Sequence, residues 1–265
     1  MALAADFTRF NDAHLRAELY RRDPTTVLRQ QTDTAQHLAR SALSIMETFS
    51  RQPSMYCSPV IRTVLARVRQ LAHLATDAAD HLIDAADILN DTREGLPIEL
   101  GDDFLVVLTD QQAHRRFDLV ASLTALGAPD AVATAETYVA ERRHHGFCPA
   151  HQPPSLSATQ NTILRAVANG DVAITGGKAD LRSKDFRVGI TTIRSLESRG
   201  LVVREDCPDW FCDERVHLTA TGRRDLAASF ARHRPTSALA TTHPAALQAN
   251  SAPAPPGPAH LSTAR

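Results

Sequence analysis

Ile61, Val64, Val68, Leu71, Ala75, Ala78, Leu82, Ala85 and Leu89 recur at alternating steps of three and four residues, and this apolar repeat constrains the chain more than any other feature. Such steps fall on one side of an α-helix. Ser58 followed by Pro59 supplies an N-cap and a proline at the first helical position, so the seam predicts a helix from there to about Asn90. Alanines in its second half let a partner helix approach closely. A second seam precedes it: Leu28, Gln31, Ala35, Leu38, Ala42, Ile45 and Phe49 keep the same spacing between about Thr25 and Ser50, interrupted only by Gln31. The break at Gln52-Pro53-Ser54 is short, which predicts an antiparallel hairpin of the two helices. Two such seams expose more apolar surface than their mutual contact covers, so the region needs further helices or a second copy of itself.

The sequence supplies some of these. A capping box of Thr109 with Gln112 predicts a helix that carries Phe117, Val120, Leu123 and Leu126 and ends in a left-handed cap at Gly127. Phe104 to Leu108 is either a short strand or the front of that helix, since periodicity does not separate the two. Pro129 opens another helix that ends near Gly146. Residues 1–150 therefore read as an antiparallel helical bundle. A ligand-sensing pocket, a dimer interface and plain packing are its three readings; alanine-rich seams favour packing over a pocket, and a homodimer is the preferred expectation.

Composition agrees with a helix-rich protein: 43% of residues are hydrophobic but only 5% aromatic, and 265 residues suffice for two domains. The formal net charge of -1 supplies no global positive field, so any surface for nucleic acid has to be local. No apolar run is long enough for a membrane span, and Met1 to Leu19 lacks the basic start and apolar stretch of a signal peptide; the expectation is a cytoplasmic protein without a membrane partner. His151-Gln-Pro-Pro154 marks the boundary before a second domain at 155–233. Residues 234–265, rich in Ala, Pro, Ser, Thr and His, read as a disordered tail.

The second domain opens with a capping box, Ser157 with Gln160, and a helix whose Ile163, Leu164, Val167 and Ala168 face inward until Gly170. Asp171 to Thr175 and Asp185 to Val188 are short apolar stretches on either side of Gly176 to Lys184, which reads as a hairpin or a glycine-bearing loop. Ile190, Ile193 and Leu196 then form a buried stripe on a helix ended by Gly200. Its other face, Thr191, Thr192, Arg194, Ser195 and Ser198, is polar and mostly short, which suits a helix lying deep in a DNA groove. Leu201 to Arg204 and Arg215 to Thr219 read as two strands joined by an acidic turn, Glu205 to Glu214, and a last helix reaches about His233.

Thr192 to Arg204, followed by His217-Leu-Thr-Ala-Thr-Gly-Arg223, resembles the recognition helix, wing strands and closing "LTxxG" turn of MarR-like winged helix-turn-helix transcription regulators. The likeness covers about residues 157–231, and the Arg- and Ala-rich usage is similar to that of actinobacterial proteins. It implies a winged helix with small β-hairpins that binds double-stranded DNA, the helix at about Gly189 to Arg199 entering the major groove and Leu201 to Thr219 forming the wing. The expected fold is thus mainly α, a helical bundle followed by an α+β winged helix. Two departures stand out. The second helix of the family has no counterpart in Val172 to Val188, and the wing tip carries five acidic residues and no basic one, so it should repel phosphate. Lys178, Arg182, Lys184 and Arg187 form a basic patch that would take over the phosphate contacts. The alternative is a winged-helix interaction or structural module that binds no DNA.

Cys148-x-x-His151 and Cys207-x4-Cys212 together offer four ligands of the kind a structural zinc takes, but their spacing matches no standard knuckle. Plain thiols are the expected state of the cysteines, with a redox-labile bridge between Cys207 and Cys212 as a further alternative to zinc, and no cofactor is expected. Trp210 and Phe211 at the turn tip are either an exposed contact or fold back on the hairpin. Gly176-Gly-Lys178 lacks the spaced first glycine and the hydroxyl residue of a phosphate loop, and neither a Gly-x-Ser-x-Gly elbow nor a His-Glu-x-x-His motif is present, so an enzyme is not expected.

Overall fold

The computed structural model describes residues 1–17, 24–51, 58–93, 104–147, 151, 155–181, 188–209 and 212–230. The tail at 234–265, Trp210 and Phe211, and most of the boundary at 151–154 lie outside these residues. The chain is mainly helical, with a small antiparallel sheet toward its C-terminal end. Five helices come first: α1 (Ala2–Arg16), α2 (Pro24–Ser50), α3 (Pro59–Arg93), α4 (Phe104–Thr124) and α5 (Gly127–His144). There follow α6 (Ala158–Ala168), β1 (Val172–Thr175), β2 (Lys178–Leu181), α7 (Ile190–Ser198), β3 (Val202–Asp209), β4 (Cys212–Leu218) and α8 (Ala220–Ser229). Met1–Arg232 forms one compact unit.

The α3 seam is buried as its spacing demands and so is the α2 seam up to Ala42, whereas Ile45 and Phe49 are half-buried. All nine seam residues of α3 are in the core, as are Leu28, Gln31, Ala35, Leu38 and Ala42 of α2. The two helices pack along their length, and the Thr25 hydroxyl donates to Asn90 Oδ1 at 3.3 Å, which sets the start of α2 beside the end of α3 and makes them antiparallel. The Ser58 hydroxyl reaches across to the Glu141 carboxylate on α5. Helix α4 begins at Phe104, so the stretch left open between strand and helix is helical, and Thr109 lies inside the helix and is not its cap. Gly127 is not a left-handed cap either. It opens α5, and a Cβ there would stand 2.3 Å from the Phe7 ring, so its lack of a side chain makes room for α1.

Helix α1 is the element the sequence reading passed over. Leu3, Phe7, Phe10 and His14 continue the three-and-four spacing and are buried, and α1 packs on α5, α2 and α4. Burying two whole phenylalanines contributes about 1.5–3 kcal/mol each. Asn11 Nδ2 donates to the Thr124 carbonyl at 3.0 Å while the Thr124 hydroxyl donates back to Asn11 Oδ1 at 2.6 Å, locking α1 to the end of α4.

In the C-terminal part, the capping box of α6 forms as read: Ser157 Oγ accepts from the Gln160 amide at 3.1 Å, and the Gln160 side chain accepts from the Ser157 amide at 3.0 Å. The sheet has the order β2-β1-β4-β3. β1 and β2 form a hairpin in register Val172↔Leu181 to Thr175↔Lys178, closed by Gly176 and Gly177 at φ 54° and 71°, a two-residue turn that only left-handed backbone can make. Of the two readings of 176–184, hairpin or glycine-bearing loop, the hairpin forms, with Lys178 to Leu181 as its second strand. Of the apolar stretch Asp185 to Val188, Val188 is buried coil and the remaining residues lie outside the described ones. The acidic turn is shorter than expected, because β3 runs to Asp209 and β4 starts at Cys212. The last helix ends at Ser229 and not near His233.

Candidate functional site

Helix α7 is short because its two ends are fixed. Gly189 in extended backbone precedes it, and Gly200 at φ 68° follows it, with the Gly200 amide on the Glu197 carbonyl at 2.8 Å and the Leu201 amide on the Leu196 carbonyl at 3.0 Å. These paired bonds are a Schellman cap, which needs a residue at positive φ. Ile193 and Leu196 are fully buried and hold α7 against α6, β2 and β3. That orientation sends Thr191, Arg194, Ser195 and Ser198 outward at helical steps of three, one and three, a single stripe. Thr191, Arg194 and Ser198 are exposed; Ser195 is half-buried and accepts from Gln160 Nε2 at 3.4 Å, while Ser198 donates to the Ser195 carbonyl at 3.0 Å. Thr192 is half-buried beside the stripe.

Lys178 is exposed at the first position of β2, opposite Thr175. Arg182, Lys184 and Arg187 lie outside the described residues. A cation that the sequence reading did not single out, Arg199, is exposed where α7 ends and reaches the Ser155 carbonyl at 3.5 Å.

The acidic hairpin beside α7 is less bare than its sequence implies. Arg204 Nη2 donates to Glu197 at 2.7 Å, and its Nη1 lies 3.5 Å from Glu214. Glu205 receives a two-pronged Arg9 guanidinium, Nε at 3.1 Å and Nη2 at 2.7 Å, and this contact holds its carboxyl below the usual glutamate range. Asp213 accepts from the Gly176 amide at 2.7 Å. Asp206 remains exposed.

Two further contacts brace this surface. Thr219 caps α8, with its hydroxyl accepting from the Gly222 amide at 3.0 Å and donating to the Gly200 carbonyl at 2.6 Å. A Cβ on Gly222 would stand 1.9 Å from the Leu201 carbonyl oxygen. The Leu-Thr-Ala-Thr-Gly motif thus has a mechanical role: it clamps the start of α8 onto the corner where α7 turns into β3. The second brace is Arg215 on β4, whose Nε and Nη2 donate to the two oxygens of Asp12 on α1 at 2.8 and 2.6 Å. Partners 203 residues apart give no sequence signal.

The four proposed zinc ligands do not come together among the described residues. His151 Nε2 pairs with Asp225 on α8, Cys207 and Cys212 are buried thiols on β3 and β4, and Cys148 lies outside the described residues. Burial, with the neighbouring Cys207, pushes the Cys212 thiol well up. No group of three or more potential ligands occurs among the described residues, and none of their helices is long and apolar enough to cross a membrane. Comparisons with family models, curated proteins and solved structures find no match to this chain.

Proposed function

We propose that residues 155–233 form a winged helix that binds double-stranded DNA through the outer stripe of α7, and that the chain is a transcriptional regulator and not an enzyme. The observation that carries this reading is that Thr191, Arg194, Ser195 and Ser198 share one face of a rigidly capped helix standing beside a β-hairpin. Short polar side chains let such a helix approach base edges, and Arg194 supplies the bidentate donor that favours guanine. The chain order supports it: α6, β1, α7, then the β3–β4 hairpin with β1 paired to β4, follows the succession of a winged helix, with β2 and the residues after it where the second helix would stand. Lys178, Arg182, Lys184 and Arg187, now with Arg199, would contact phosphates.

One nine-residue helix offers a small footprint, so the reading includes a homodimer built on the N-terminal helices, where Leu43 of α2 and Ile83 of α3 remain exposed. Selection of random duplexes by the full chain is expected to enrich two half-sites about 10 base pairs apart. A single half-site together with a monomer in sedimentation would remove the dimer, and no enrichment would remove the DNA reading. The exposed Asp206 and Val203 on β3 favour the second reading, a module whose hairpin meets a protein partner; enrichment failing while the fold is intact is its signature.

A further inference from the structure

Between α5 and α8 lies a cavity of about 400 Å3, a size typical of small-molecule sites. Val139 and Ala227 form apolar wall, and Phe147, 47% exposed, stands at the edge as an aromatic face open to solvent. The polar groups of the lining are Arg142, whose guanidinium lies 4.3 Å over the Phe147 ring, the exposed Arg224, His151 and the neutral phenol of Tyr138. Among the described residues no carboxylate lines the cavity. The buried Asp225 pairs with His151, and Arg142 and Arg224 bring two guanidiniums to the wall. Apolar walls with two arginines in the lining repel a cation and lower the desolvation cost of an anion, whereas a bare inorganic anion leaves the walls wet.

We propose that this cavity binds a small organic anion with an apolar body. The proposal does not rest on the reading of α7: the cavity is lined from α5, α8, Phe147 and His151 and uses none of the stripe residues. Anilinonaphthalene sulfonate is a suitable probe, titrated by fluorescence against the intact full chain at neutral pH, with naphthoate and inorganic phosphate as competitors. Saturable binding is expected that naphthoate displaces and phosphate does not. Arg224→Glu, a surface change, should weaken it about tenfold or more by reversing a charge at the mouth. Val139→Trp, which fills the cavity, should weaken it at least as much, and near-UV circular dichroism shows whether that variant keeps its packing. Equal affinity in wild type and Arg224→Glu, displacement by phosphate, or absence of saturable binding would each overturn the proposal.

Discussion

Replacing Asp12 by Ala removes the carboxylate that answers Arg215 and leaves the guanidinium where it is. Both side chains are nearly out of water, at 8% and 11% exposure, and the pair is doubly hydrogen-bonded, with Arg215 Nη1 spending its remaining reach on the Gly170 carbonyl at 3.3 Å. Breaking a buried pair from one side costs about 3–5 kcal/mol, because the surviving charge stays buried without compensation. For a cooperative unit of the size of Met1–Arg232, each kcal/mol moves the midpoint by about 2–4 °C, so Asp12→Ala should lower Tm by about 6–20 °C. Differential scanning calorimetry of the full chain reads this directly. The double variant Asp12→Leu with Arg215→Met, which removes both charges and keeps the volume, should recover most of the loss. A drop below about 2 °C for Asp12→Ala, or a double variant as unstable as the single one, would refute the view that this pair joins α1 to the sheet.

Three further outcomes follow from named contacts. Gly222→Ala drives a Cβ into the Leu201 carbonyl, a backbone atom that cannot swing away, and should cost about 3 kcal/mol in urea unfolding; an unchanged midpoint would show that the α8 clamp is loose. Gln31 interrupts the α2 seam, is buried, and its Oε1 meets no partner among the described residues, so Gln31→Leu should raise stability by about 1–2 kcal/mol, and a loss would mean that the amide is satisfied after all. Burial holds His14 down to about 4, with Nε2 donating to the Phe117 carbonyl at 3.0 Å and Nδ1 without a partner among the described residues. The folded value lies below the ordinary 6.5, so the unfolded chain binds more protons between the two; stability is full above 6.5 and lost as pH falls toward 4, by about 3 kcal/mol. His14→Phe should lose that much less stability between pH 7 and pH 4 than the wild type, and equal losses would sink the argument.

The elements that were legible are those whose signal is local. The α2 and α3 seams, the Ser157–Gln160 box and the glycine after α7 are decided within a few residues, and the structure repeats them. Thr109 and Gly127 misled for the same reason. A capping pattern recurs inside helices, and whether a glycine is there for its backbone or for its lack of a side chain depends on a neighbour, here Phe7, that is remote in sequence. Over 176–184 the glycines leave a hairpin and a loop both open, because apolar alternation does not show that Lys178 to Leu181 pairs back on β1. The stripe of α7 was readable because helical spacing alone sorts Thr191, Arg194, Ser195 and Ser198 from Ile193 and Leu196. The braces that hold it were not, since Arg9 with Glu205 and Asp12 with Arg215 are chosen by tertiary proximity and not by any periodicity.

The most direct measurement is the equilibrium affinity of the full chain for a selected duplex as salt rises from low to physiological levels, in the wild type and in Arg194→Ala. A groove-bound α7 backed by phosphate contacts predicts a linear fall of log K with log salt, and an Arg194→Ala loss of about 1–3 kcal/mol that is largest on the preferred sequence. Affinity indifferent to salt, or an Arg194→Ala variant that binds every duplex as the wild type does, would contradict the assignment of α7 as the helix that reads DNA.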